Sequence, residues 1–371
     1  MADYPADIQI VSQIETLRIA LPRWEPHLMR RPMKTVFLLA AFLTPGVAAQ
    51  EPVLVQAAQP LSADAINQAQ LQSAPALFER LAIETAPAVD AGSLLPNPAI
   101  ARLQILLDQH GVSPGVIDGF DGQNVRKAIM AFEAMYGLPV DGNLDADMLA
   151  MLETGAQVIG TYQVTPEDAA ALVPAIPSDY SEMARYEFLG YESVPEAIAE
   201  RFHMDVDFLA ALNPGAGFLT RETVLIVMTG ANRAGQASQI VADKTLRQVR
   251  AYDATGRLLA AYPATIGSED NPSPTGVYTV EQATPMPNYT YNPAINFQQG
   301  GNTEVLTIPP GPNGPVGSMW IALSKPTYGI HGTPEPAMID KTGSHGCIRL
   351  TNWDAEELAT MVAPGVTVTF L

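Results

Sequence analysis

Two runs near the C-terminus decide how the chain is read: Gly329-Ile330-His331-Gly332-Thr333 and Ser344-His345-Gly346-Cys347-Ile348-Arg349-Leu350. Cys347 is the sole cysteine of 371 residues, so no internal disulfide can form. Such a thiol is either inert in a core or kept for its reactivity. The adjoining glycines argue for exposure, because glycine lets backbone approach a ligand and frees N–H groups to face a developing oxyanion. A thiol needs a base, and two histidines are at hand. His331 follows a strand-like run and is flanked by Gly332; His345 lies two residues from Cys347. Spacing alone does not choose between them. Arg349, two residues beyond the thiol, is placed to hold a carboxylate bidentately.

Outward from these runs the period is that of strands. Ile240 to Ala242, Leu246 to Tyr252 and Leu258 to Ile266 alternate apolar and polar residues around the turn Asp253-Ala254-Thr255-Gly256. Pro274-Thr275-Gly276 opens another strand, Met319 to Ser324 leads toward His331, and Val366 to Phe370 is the last. Residues 282–317 are rich in Pro, Gly and Asn, and a connection this long points to function. Trp353 to Met361 is the one late helix, with acidic residues at its start that suit its dipole. The spacing predicts a mainly β catalytic domain over 239–371. A zinc site needs three or four protein ligands, more than one Cys and two His supply, and neither CxxC nor HExxH occurs. There is no phosphate loop and no dinucleotide fingerprint, so neither cofactor nor metal is expected.

The N-terminal half reads differently. Met29-Arg30-Arg31-Pro32-Met33-Lys34, an apolar run to Leu43 and Val47-Ala48-Ala49 have the layout of a signal peptide cut after Ala49, with residues 1–28 an upstream extension. That predicts export to the periplasm. Residues 50–95, rich in Ala, Gln and Pro, predict a flexible tether with one or two short helices. Three short helices separated by two hydrophobic-Asp-Gly turns (Ile117-Asp118-Gly119 and Val140-Asp141-Gly142) are expected over 96–155. Over 184–228, Ser193-Val194-Pro195-Glu196 starts a capped helix, Leu212-Asn213-Pro214 closes a second, and Thr223 to Val227 is a strand. Residues 50–230 carry 7 Lys/Arg against 24 Asp/Glu, a balance of −17, and residues 231–371 carry 8 against 11, a balance of −3. Such an acidic surface repels nucleic acid and anionic lipid, but tolerates a matrix bearing free amines.

The two motifs, with Asn352 and Asp354 following, Pro274-Thr275-Gly276 and Gly365-Val366-Thr367-Val368, resemble the L,D-transpeptidase (YkuD-type) catalytic domain of bacterial cell-wall enzymes. The helical unit is similar to a peptidoglycan-binding domain, with Glu133 where that family usually has glutamine, and 184–228 is similar to a LysM module, a βααβ unit. The resemblance implies a β-sandwich catalytic domain beside small wall-binding modules. It implies Cys347 as nucleophile and His331 as general base, oriented by a carbonyl near Gly332. An oxyanion hole is implied at the N–H groups of Gly346 and Cys347, and Ser344, His345 and Arg349 shape the donor site. The implied substrates are peptidoglycan stem peptides, and carbapenem β-lactams are implied as covalent inhibitors. The acyl acceptor stays open among another stem's amine, an outer-membrane lipoprotein lysine, a free D-amino acid and water. Water would make the protein a carboxypeptidase or amidase, and loss of catalysis would leave a wall-binding protein.

Overall fold

The computed structural model describes residues 61–71, 95–170, 172–230, 235–268, 271–344 and 346–371. The expected leader, most of the 50–95 tether and His345 lie outside them.

Four helices open the described chain: α1 (Ala63–Asn67), α2 (Pro98–Gln109), α3 (Gln123–Tyr136) and α4 (Ala146–Leu152). Residues 61–71 fall in the segment expected as tether, yet they are packed. Ile66 and Leu71 are fully buried in the helical core. Asn67 Oδ1 accepts from the N–H groups of Val158 (2.8 Å) and Ile159 (3.0 Å), and its carbonyl accepts from Arg102 Nη1 at 2.9 Å. Two apolar side chains and a satisfied amide are enough to hold this stretch down, whatever its composition suggests. The two hydrophobic-Asp-Gly turns are each closed by a buried side chain from a neighbouring helix. Gln104 Oε1 accepts from Asp118 N and Gly119 N (3.2 and 2.8 Å), and the Glu133 carboxylate accepts from Asp141 N and Gly142 N (3.0 and 2.9 Å). Glu133 therefore serves the turn, and a carboxylate accepts as well as an amide does.

Next comes a two-stranded antiparallel sheet. β1 (Ile159–Gln163) pairs with β2 (Thr223–Val227) in the register Ile159↔Val227 to Gln163↔Thr223. Between them lie α5 (Pro166–Ala170), α6 (Tyr180–Met183), α7 (Val194–Arg201) and α8 (Val206–Leu212). Helices α7 and α8 begin at side-chain caps, Ser193 Oγ accepting from Glu196 N and Asp205 Oδ1 from Asp207 N and Phe208 N. The helix–helix–strand order is the one expected for 184–228, but the strand that opens the unit lies earlier, at 159–163. A five-residue strand containing a glycine gives little periodic signal. The unit thus encloses an extra stretch, 164–193, between its first strand and α7.

The remaining strands are β3 (Gln239–Asp243), β4 (Gln248–Tyr252), β5 (Leu258–Pro263), β6 (Thr265–Ile266), β7 (Gly276–Pro285), β8 (Tyr289–Tyr291), β9 (Leu306–Ile308), β10 (Met319–Leu323), β11 (Gly329–His331), β12 (Ile348–Arg349) and β13 (Thr367–Phe370), with α9 (Asn352–Met361) before the last. Nine of them form one sheet in the order β5-β4-β3-β13-β7-β10-β11-β12-β6. Its two end strands, β5 and β6, are separated only by Ala264, so the sheet wraps until its ends meet. The expected sandwich is this single curled sheet. Its inward side chains, among them Ile240, Val249, Tyr262, Ile321, Ile330, Ile348 and Val368, make one core with Leu358 and Met361 of α9. Strand β8 pairs with β9 as a separate hairpin.

The helical modules and the sheet are joined by specific bonds. The backbone at 111–113 adds to the free edge of β5 (Ser113 N to Ala261 O, 2.8 Å; Ala261 N to Gly111 O, 3.0 Å), which explains why every residue of β5 is buried. Lys127 meets Asp340 at 2.8 Å, and the His203 ring stacks on Trp353 at 5.1 Å. Two carboxyls are buried at this junction, Glu200 against Asn352 and Asp354 against Ser113. Burial pushes both up to about 8; the Asn352 hydrogen bond partly offsets it for Glu200, and the neighbouring His203 for Asp354. A carboxyl whose folded value lies above its unfolded one binds its proton more tightly in the native state. Its stabilising contribution is therefore present at low pH and is lost as pH rises from about 4 through about 8. The melting temperature should fall by more than about 5 °C between pH 5 and pH 8.5. In Glu200→Gln, where the amide mimics the protonated acid, calorimetry should find a visibly flatter slope; an unchanged slope would assign the dependence elsewhere.

Candidate active site

Cys347 and His331 arrive by different routes at one cleft. His331 ends β11, which runs parallel to β12 with Ile330 opposite Ile348 and His331 opposite Arg349. Cys347 immediately precedes β12. A cavity of about 520 Å³ is lined by both residues together with Ser344 and Arg349. Of the expected site residues, Ser344 and Arg349 thus share the cleft with Cys347 and His331, Gly332 and Gly346 adjoin the pair along the chain, and His345 is outside the described residues.

The imidazole is fully oriented. His331 is buried, its ring stacks on Trp320 (5.5 Å between centroids, 18° between planes), and Nδ1 lies 2.7 Å from the Gly332 carbonyl. A carbonyl can only accept, so Nδ1 carries the proton and Nε2 holds the lone pair. Burial, and then the Arg349 charge, lower the imidazole to about 4. At neutral pH the ring is therefore an uncharged base.

The Gly332 carbonyl is in turn held from below. Asn352, buried at the start of α9, accepts at Oδ1 from Ser318 N (3.0 Å) and Thr333 N (3.1 Å). Its Nδ2 donates to Glu200 Oε1 (3.0 Å) and the Pro312 carbonyl (3.1 Å). Four hydrogen bonds use the full capacity of the amide. The approach is so close that a Cβ on Gly332 would stand 2.1 Å from Asn352 Oδ1, which is why position 332 has no side chain.

The thiol segment is pinned as tightly. Gly346 has φ +107° and lies against the Tyr328 ring, a conformation and a space that only glycine fits. Its carbonyl accepts from Ser273 Oγ at 2.7 Å. In a planar trans peptide the next N–H points opposite to that carbonyl, so the Ser273 bond fixes the direction of the Cys347 N–H. Ser344 Oγ donates to the Cys347 carbonyl (2.6 Å) and accepts from Gly267 N (2.7 Å), tying the segment to the turn after β6.

Half-buried, the Cys347 thiol lies 3.7 Å from the Thr327 carbonyl. Burial raises it above the ordinary thiol value, against the opposing pull of the Gly329 backbone and Arg349. An imidazolium beside a thiol would lower it. With His331 neutral there is no imidazolium to do this, and the resting pair is thiol plus imidazole. Ser273, Trp320 and Tyr328 belong to no motif and escaped sequence reasoning; Asn352 stood only as part of the resemblance.

The description "L,D-transpeptidase catalytic domain" (YkuD) matches residues 237–370, and "Putative peptidoglycan binding domain" matches residues 96–152. Among curated relatives, "Putative L,D-transpeptidase YkuD" of Bacillus licheniformis is 31% identical over 175 residues, 47% of this chain and 90% of its own length. The protein of the same description from Bacillus subtilis is 37% identical over 113 residues, 30% of this chain and 54% of its own. The crystal structure of L,D-transpeptidase 3 from Mycobacterium tuberculosis aligns over 41% of this chain and 76% of its own at 17% identity, with a TM-score of 0.30, too low to lend support.

Two outcomes are expected. Alkylation of Cys347 by iodoacetamide, followed by mass spectrometry, should rise with pH only beyond the ordinary thiol range, because burial raises the thiol; a step at near-neutral pH would reveal an ion pair. Ser273→Ala should lower kcat about tenfold with little change in KM, because it loosens one N–H without touching substrate; a rise in KM at constant kcat would place Ser273 in binding instead.

Proposed function

The chain belongs to the L,D-transpeptidase family with a YkuD-type catalytic domain, and from that membership we propose how its own residues carry out acyl transfer. It is a peptidoglycan L,D-transpeptidase. The observation that supports the assignment of roles is the neutral, fully oriented His331 beside the chain's only thiol.

In the first half-reaction His331 Nε2 takes the proton of Cys347 as Sγ attacks the carbonyl of the third stem residue, a diamino acid. Negative charge collects on the carbonyl oxygen, and the N–H groups of Gly346 and Cys347 receive it. The C–N bond to the terminal D-alanine then breaks, the imidazolium returns its proton to the leaving amine, and a thioester remains. In the second, an acceptor amine attacks the thioester, His331 accepts its proton, and the thiolate leaves and is reprotonated. Since the resting thiol is uncharged, proton transfer and attack are coupled, and each depends on the Nε2 lone pair.

The acceptor is another stem's side-chain amine, the lysine of an outer-membrane lipoprotein or a free D-amino acid; water in its place gives the hydrolase. The periplasm, the compartment of that substrate, is the proposed location, consistent with the leader-like run ending at Ala49. The helical domain and the β1–β2 unit, the latter LysM-like in its strand–helix–helix–strand order, are proposed to hold the enzyme on the glycan.

Purified protein incubated with disaccharide-tetrapeptide should release D-alanine and form a cross-linked or exchanged product detectable by mass spectrometry. Cys347→Ala should form none while still sedimenting with sacculi, and His331→Ala should slow thioester formation by about 10²-fold or more. Turnover by Cys347→Ala would remove the thiol from the mechanism. A carbapenem should add the mass of the intact drug to the native protein and nothing to Cys347→Ala; equal adducts on both would mean nonspecific acylation.

A further inference from the structure

The 164–193 stretch enclosed by the β1–β2 unit does not stay with that unit. Its Ile176, Tyr180 and Met183 pack with Tyr289 and Tyr291 of β8 and Ile308 of β9, in an apolar cluster separate from the two main cores. Polar bonds fix the register: Tyr180 N donates to Gln299 Oε1 (3.1 Å), and Gln299 Nε2 donates to the Ser178 carbonyl (2.7 Å). The Tyr180 ring meets the edges of Tyr289, Tyr291 and Phe297 at 5.9, 5.3 and 6.1 Å. A segment of the N-terminal half thereby roofs the catalytic cleft.

Tyr180 and Arg349 both line the thiol cavity, and both line an adjoining cavity of about 500 Å³. They are half-buried. Among the described residues the Arg349 guanidinium makes no hydrogen bond or ion pair, and the Tyr180 hydroxyl makes no hydrogen bond. Glu335 acts on Arg349 only through its charge, so two donors that share a wall and make no hydrogen bond call for an acceptor from outside. Arg349 brings a positive charge and a planar fork of N–H donors, and the phenol adds an O–H. The group that matches is an anion with two acceptor oxygens on one carbon.

We propose that Tyr180 and Arg349 form a clamp for a carboxylate of the stem peptide, so that the N-terminal half supplies one of the enzyme's substrate-binding residues. The proposal rests on the transpeptidase reading above. A tetrapeptide stem offers two carboxylates near the scissile bond, that of the leaving D-alanine and that of the diamino acid side chain, and the test separates them.

Steady-state turnover of the full chain is measured for wild type and Tyr180→Phe on three donors: the free tetrapeptide, its D-alanine carboxamide and its diamino acid side-chain carboxamide. Phenylalanine keeps the ring contacts and removes only the hydroxyl. In wild type one of the two carboxamides should raise KM about tenfold, and that one identifies the carboxylate. Tyr180→Phe should raise KM for the free acid by a similar factor, leave kcat within about twofold, and lose most of the discrimination. Calorimetric titration of the tetrapeptide into Cys347→Ala, with and without Tyr180→Phe, reads binding without chemistry. Normal turnover with the same KM and the same discrimination in Tyr180→Phe would overturn the clamp and leave the transpeptidase reading standing. Tyr180-dependent binding to Cys347→Ala with no turnover by wild type would do the reverse. Neither binding nor turnover would overturn both.

Discussion

One buried amide holds the catalytic half in its working shape. Asn352 sits where the loop after β11, the loop before β10 and α7 converge, and it bonds to all three. Its Oδ1 occupies space that a side chain at position 332 would need, so the amide and the glycine define each other. Above them the Gly332 carbonyl sets the tautomer of His331. An uncharged base of fixed orientation is thus reached through a chain of three contacts, each of which costs free energy to leave unmade.

The same amide ties the catalytic half to the rest of the protein. Its donor side ends on Glu200, a residue of α7, so the base is aligned by a helix that lies within the stretch read from the sequence as a separate LysM-like unit. The roof over the cleft comes from the neighbouring stretch 164–193, and the exposed edge of β5 is completed by 111–113. Three elements of the N-terminal half thus each satisfy an unfilled requirement of the catalytic sheet: a partner for Asn352, a cover for the thiol and a neighbour for an edge strand. A chain organised in this way does not behave as beads on a string, and substitutions far from Cys347 in sequence are felt at it.

Much of this was legible beforehand, and for physical reasons. Strands β4 and β13 alternate apolar and polar residues because one face meets the core, and such a pattern survives in a single sequence. A lone cysteine among glycines with two histidines nearby reads as a candidate nucleophile. What escaped is what leaves no period and no motif. The pairing of β1 with β2 spans some sixty residues, and nothing local to Ile159–Gln163 announces its partner. The Ser273 bond to Gly346 and the ring contacts of Tyr180 exist only in the folded chain. The upward push on the Cys347 thiol comes from burial, which no local spacing announces.

Strand β13 lies in the middle of the nine-stranded sheet, parallel to β3 on one side and antiparallel to β7 on the other. It is made after every other strand of that sheet. Until Thr367–Phe370 has emerged, β3 and β7 have no common neighbour, the sheet cannot close, and β11 and β12 have no stable frame on which to present the histidine and the thiol. Contacts of such sequence separation also form slowly. Cys347 is thus synthesised before the final strand, and the cleft it shares with His331 is complete only once that strand is inserted.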